Sequence, residues 1–224
     1  MIALLEADPE APPGVIVEVL AGMGIPFSHL RLHAGEAPGP LAEFSGAIIL
    51  GGGMHADEES KHPFLADLKT LIRSAARTNF PLLGICLGGQ LIAATLGGRL
   101  NHDRDGEKGI ARVRLTGQGG TDPLFCGLPE EFVTFQWHVD SFTIPPDAVA
   151  LAGSERCPAQ AFRYGSTVYG VQFHPEVDPP TATSWCLEEG DLALSDAFRE
   201  FAADHGASGR LILRNFAKLA FGGS

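Results

Sequence analysis

The chain has 224 residues, 45% of them apolar, which is enough to bury a full core. Its 16 Lys plus Arg against 27 Asp plus Glu give a net charge of −11, which keeps a globular protein soluble and repels a phosphate backbone. The opening run Met1-Ile2-Ala3-Leu4-Leu5-Glu6 has no basic leader and stops far short of a signal core or membrane span, so we expect a cytoplasmic protein with neither nucleic acid nor membrane as partner.

In chain order, the first half alternates short apolar runs with amphipathic stretches: Ile2 to Leu5, Val15 to Leu20 after Pro12-Pro13, and Ala47 to Leu50 ending at Gly51-Gly52-Gly53. This is a βαβ rhythm. Ser28 to His33 alternates like a strand and would put His29 and His33 on one face; no third ligand is suggested, so we expect no metal site. Phe64, Leu65, Leu68, Leu71, Ile72 and Ala75 recur at helical spacing, followed by the buried-strand run Pro81-Leu82-Leu83-Gly84-Ile85 and a helix opening near Gly88 and running to Leu96.

From Arg99 to His174 the pattern changes to short strands separated by turns, namely Ala111 to Leu115, Glu131 to Trp137, Val149 to Ala152, Ala159 to Tyr164 and Val168 to His174, several of which should pair antiparallel. After a Pro-rich break at Asp178-Pro179-Pro180, helical spacing returns in Ala197 to Ala203 and Leu211 to Leu219. No repeat or linker interrupts the pattern, and residues 1–224 read as one α/β domain. Its sheet should be mostly parallel and flanked by helices, with an antiparallel extension at one edge. The cysteines form neither a C-x-x-C pair nor a dense framework; Cys126, Cys157 and Cys186 read as small hydrophobes.

Cys86 differs from these three. In Gly84-Ile85-Cys86-Leu87-Gly88-Gly89-Gln90 it follows a buried strand, precedes a helix, and has glycine two positions to either side. A nucleophile on so tight a corner crowds its neighbours at those positions, which therefore need to lack side chains. The corner also places the sulfur at a helix N-terminus, whose free N–H groups, beginning with that of Leu87, favour an anion and can hold a developing oxyanion.

A second element lies at the end of Val168-Tyr169-Gly170-Val171-Gln172-Phe173-His174-Pro175-Glu176. Proline keeps the preceding residue extended, and residues two apart in extended chain share a side, so Gln172, His174 and Glu176 should face the same way. A carboxylate beside an imidazole fixes its tautomer while the other ring nitrogen takes the thiol proton. Cys86, His174 and Glu176 can thus serve as nucleophile, general base and orienter.

The G-x-C-x-G-x-Q elbow and the late Q-F-H-P-E closely resemble the signatures of the class I glutamine amidotransferase domain, over roughly residues 40 to 176. The chain looks most like the stand-alone branch related to the glutaminase domain of guanosine monophosphate synthetase. The resemblance implies a flavodoxin-like fold, no cofactor, and hydrolysis of the glutamine amide through a γ-glutamyl thioester, with ammonia passed to an acceptor. By position it makes Cys86, His174 and Glu176 the triad and Gly52 the partner of Leu87 in the oxyanion hole. Gln90 would contact the substrate, and Gln136-Trp137-His138-Val139-Asp140 would border its α-amino and α-carboxylate groups through His138 and Asp140. The family often has Pro where Gly53 stands and His where Gly89 stands.

No G-x-x-x-x-G-K-[ST] loop and no Ser-Gly-Gly nucleotide loop occurs in the chain. Either a separate ammonia-accepting synthase subunit completes the reaction, or hydrolysis itself is the purpose. The second case describes a γ-glutamyl peptidase acting on glutathione-like compounds, with a wider cleft near Gly52 to Asp57. A non-catalytic regulatory module is a third reading, opposed by the intact Cys, His and Glu set.

Overall fold

The structure is a computed structural model that describes residues 1–222. The chain runs β1 (Ile2–Glu6), α1 (Ile16–Gly22), β2 (Phe27–Arg31), β3 (Gly46–Ile49), α2 (Phe64–Thr78), β4 (Leu82–Ile85), α3 (Leu87–Thr95), β5 (Leu100–Asn101), β6 (Glu107–Leu115), β7 (Glu131–His138), β8 (Ser141–Phe142), β9 (Ala148–Gly153), β10 (Ala161–Tyr164), β11 (Val168–Val171), α4 (Pro179–Glu188) and α5 (Leu192–Ala220). Nine strands form one mixed sheet in the order β2-β1-β3-β4-β11-β10-β9-β6-β7, and β5 pairs with β8 in a separate two-stranded ribbon.

The five strands from β2 to β11 are parallel to one another, and β10, β9, β6 and β7 continue the sheet in antiparallel pairings, as the change of pattern after Arg99 predicts. Burial on both faces explains why β3, β4 and β11, and β1 up to its last residue Glu6, carry no charged side chain. Alternate residues serve opposite layers. Ile2, Leu4, Ile48, Leu83 and Ile85 pack with Ile16, Leu20, Ile212 and Phe216 of α1 and α5, whereas Ala3, Leu5, Ile49 and Leu82 pack with Leu65, Leu68, Ile72, Leu91 and Ile92 of α2 and α3.

Three expectations need correction. Asp178-Pro179-Pro180 starts a helix instead of breaking one: the Asp178 side chain accepts from the Thr181 N–H, and proline in the first turn gives up a hydrogen bond the helix would not have made. The helical spacing in Ala197 to Ala203 and in Leu211 to Leu219 belongs to one helix of 29 residues, in which the intervening His205, Ser208 and Gly209 are also buried. His29 and His33 do not share a strand, since β2 ends at Arg31 and His33 lies in a short 3-10 turn. Both imidazoles nonetheless bond the buried carboxylate of Glu6, at 2.8 and 2.9 Å, a partner 23 residues or more away that spacing could not reveal. Cys157 and Cys186 are buried as expected, while Cys126 is exposed.

Candidate active site

Strand β11 lies parallel to β4 with Gly170 opposite Gly84 and Val171 opposite Ile85, so the chain leaves both strands at the same edge of the sheet. Cys86 follows one and Gln172 to Glu176 the other. The Cys86 N–H donates to the Val171 carbonyl at 2.8 Å, tying the two departures together. Carboxyl ends of parallel strands are where open α/β sheets place ligands.

Cys86 has φ 50° and ψ −106°, a conformation costly for any residue with a side chain. Packing enforces it. A Cβ on Gly84 would stand 2.4 Å from the Gly88 carbonyl, one on Gly88 2.3 Å from the Ile49 carbonyl oxygen, and one on Gly89 2.6 Å from that of Val171. The same crowding explains glycine at 89, since helix α3 runs directly against β11. Gln172 donates to the Cys86 sulfur from Nε2 at 3.6 Å.

The His174 N–H donates to the Phe135 carbonyl on β7 at 2.9 Å, which fixes its backbone. Its Nδ1 lies 2.7 Å from Glu176 Oε1, and its Nε2 has no partner among the described residues. The position of a Cβ on Gly51 measures how closely the groups converge: it would lie 3.2 Å from His174 Cε1 and 3.9 Å from Cys86 Cβ. Burial acts to lower the His174 pKa, yet the charge of Glu176, the neighbouring Cys86 sulfur and the hydrogen bond to Glu176 outweigh it and hold the imidazole well above its ordinary value. This arrangement favours the imidazolium form of His174.

A Cβ on Gly52 would stand 2.8 Å from Leu87 Cδ2 and 2.7 Å from Met54 Sδ, so a side chain here would require both of those side chains to shift. Among the described residues, neither the Gly52 nor the Leu87 N–H has a hydrogen-bond partner. Asp8, just beyond β1, accepts from the Gly53 N–H at 2.8 Å and holds the loop. A cavity of about 380 Å³ opens over these groups, lined among others by Gly52, Cys86, Gln90, Trp137, His174 and Trp185.

Gln90, His138 and Asp140 also line this cavity. Gln90 is buried and donates from Nε2 to the Asp140 carbonyl at 3.3 Å and to Gln172 Oε1 at 3.4 Å. His138 Nδ1 bonds the same carbonyl at 2.9 Å. Sequence reasoning missed Trp185, whose ring meets that of His174 edge to face at 5.1 Å, and Asp8. Both come from segments distant in sequence and carry no motif.

A cysteine held strained at the head of a helix, facing an imidazole–carboxylate pair from the neighbouring strand, is the layout of a thiol-dependent hydrolase on an α/β sheet. A family model described as glutamine amidotransferase class-I matches residues 24–190, and the chain belongs to that family. It is similar to a subunit of the glutamine-hydrolyzing GMP synthase of Pyrococcus abyssi, 35% identical over 143 residues, which are 63% of this chain and 61% of that protein, so the match spans less than two thirds of the relative. It is also similar to the glutamine amidotransferase-like protein YfeJ of Salmonella typhimurium, 32% identical over 178 residues that cover 78% of this chain and 74% of that one. Among solved structures, a glutamine amidotransferase from Thermotoga maritima superposes with a TM-score of 0.88 at 29% identity, covering 98% of this chain and 96% of its own. The flavodoxin-like α/β fold with an antiparallel extension is thus the one expected. No helix among the described residues is long and apolar enough to cross a membrane.

Proposed function

We propose that the chain, acting as a single cytoplasmic domain, hydrolyses the γ-amide of glutamine through a thioester on Cys86. The thiolate adds to the amide carbon, and the resulting oxyanion is held by the Gly52 and Leu87 N–H groups. His174, oriented by Glu176, gives its proton to the departing ammonia and then takes one from the water that cleaves the thioester, releasing glutamate. Gln90, His138 and Asp140 border the α-amino and α-carboxylate groups. Ammonia passes to a separate synthase subunit, the arrangement implied by the name of the Pyrococcus relative. The observation that carries this reading is that a strained Cys86, Gly52 and a His174 whose Nε2 is unpaired line one cavity, with Gly51 packed against both Cys86 and His174.

One feature favours a second reading, a γ-glutamyl hydrolase. The cavity of about 380 Å³ is lined by Trp185, Trp137, Lys108, Glu188 and Glu189 as well as by His174, which gives an amide substituent larger than hydrogen side chains to pack against. Ammonia release from glutamine and glutamate release from γ-glutamyl dipeptides, each measured on the wild type and on Cys86→Ala, separate the two. Turnover of glutamine that vanishes in the variant supports the first reading, and turnover of dipeptides alone supports the second. Turnover of neither, with Cys86 inert to a thiol-directed glutamine analogue, rejects both.

A further inference from the structure

At the mouth of the cavity three loops bring together two imidazoles and a carboxylate: His55, at the end of the glycine loop after β3; His102, in the turn after β5; and Asp140, between β7 and β8. His55 Nδ1 lies 2.5 Å and His102 Nδ1 3.0 Å from the same atom, Asp140 Oδ2. We propose that His55, His102 and Asp140 bind one divalent transition-metal cation of the zinc class.

The first argument is distance. One ligand atom from each residue lies within 4.8 Å of the others. Atoms bound to zinc at about 2.0–2.2 Å lie no more than about 4.4 Å apart, so small side-chain rotations complete the set. Three protein ligands leave a fourth position for water. Two imidazoles with one carboxylate suit zinc, cobalt or nickel and are a poor match for calcium or magnesium, which prefer all-oxygen sites.

The second argument is what stands behind each ligand. His102 Nε2 lies 3.1 Å from Asp57 Oδ2, and a carboxylate on the far nitrogen of a ligating histidine is the usual outer partner that fixes ring and tautomer. Asp140 is buried, and its Oδ1 accepts from the Asp103 N–H at 3.0 Å, leaving Oδ2 directed at the imidazoles. Its carbonyl is in turn gripped by His138 and Gln90. Both imidazoles remain more than 40% exposed, which gives a cation a path in.

A rival cluster, Glu107, His138 and Cys157, lies deeper. There burial and the Glu107 charge push the Cys157 thiol up to about 12, so it keeps its proton, and Gln160 and Ser154 already occupy the carboxylate. A cation at His55, His102 and Asp140 ties the loop that carries Gly52 to the turns after β5 and β7.

The test is calorimetric titration of the Cys86→Ala chain with Zn²⁺, a background that removes the thiol facing His174, and with Co²⁺ followed by its visible spectrum. One equivalent should bind at micromolar concentration, with the strong absorption of tetrahedral cobalt. His55→Ala and His102→Ala should each weaken binding at least tenfold. Asp57→Asn should weaken it by about 10–100-fold, the usual effect of losing an outer partner. Circular dichroism should show each variant folded, as expected for exposed side chains. The proposal is overturned by the lack of stoichiometric binding, by binding that survives both histidine substitutions, or by binding abolished in Cys157→Ala and retained in His102→Ala. None of these outcomes depends on which amide the protein hydrolyses.

Discussion

At Cys86 the chain accepts a backbone conformation unfavourable for a side-chain-bearing residue, and every neighbouring contact is arranged to keep it. The same economy of position applies to His174, whose two nitrogens face different tasks. Nδ1 is committed to Glu176 and Nε2 is left free. Supplying a proton is worth more than orienting the group that supplies it, so His174→Ala should lower kcat/KM by about 10²–10⁴-fold and Glu176→Ala by less. The pH profile gives a sharper check. Because Glu176 helps hold the imidazolium, the alkaline limb of kcat/KM should lie well above the ordinary imidazole value of about 6.5 and move toward it in Glu176→Ala. A Glu176→Ala as damaging as Cys86→Ala, with its limb unmoved, would show that the roles are divided wrongly. That Cys86 would lie beside His174 and Glu176 was legible because each motif is encoded within a few residues at the end of a neighbouring strand. Trp185 and Asp8 were not, because only the fold brings them to the cavity.

Among the elements, the strand-to-helix corner was the most legible, since its requirement for glycine is steric and local. The helix at 87–95 nevertheless begins one residue before the expected Gly88. Gly84 offers a direct measurement of that steric demand. Its substitution by Ala drives a Cβ into the backbone of Gly88 at 2.4 Å, where neither side can yield, whereas a Cβ on Gly22, at the end of α1, meets nothing within 4 Å. Gly84→Ala should therefore cost about 1–3 kcal/mol or more in urea unfolding, while Gly22→Ala should be neutral or slightly stabilising. Equal effects would mean that the corner is held by something other than close packing. The helices after residue 177 were read less well. Proline has opposite meanings inside a helix and at its first turn, and the sequence alone offers no boundary to tell them apart.

Over the whole molecule, the first and last helices act as supports for a loop that belongs to neither. A Cβ on Gly14 would stand 2.1 Å from the Glu176 carbonyl oxygen, and one on Gly209 of α5 2.1 Å from that of Pro175. The Val15 N–H donates to the Glu176 carbonyl, and His205 Nε2 donates to that of Val177 at 2.9 Å. The segment from His174 to Val177 is thus clamped from both ends of the chain. His205 makes the clamp sensitive to acid. Burial pushes its pKa below the ordinary value, and the nearby His174 adds to this, against the opposing pull of the Val177 carbonyl and the Glu176 charge. Between the folded value and about 6.5 the unfolded chain binds a proton that the native chain does not, so stability rises with pH in that window. The contribution is complete above about 6.5 and drains away as pH falls toward the folded value, by at most about 1.4 kcal/mol per pH unit for one group. Urea unfolding at pH 7.5 and 5.5 should show the wild type losing more stability than His205→Gln, which retains a donor for the Val177 carbonyl but does not titrate. Equal losses in the two proteins would place the acid sensitivity elsewhere, and the clamp would then have to be described without a titrating group.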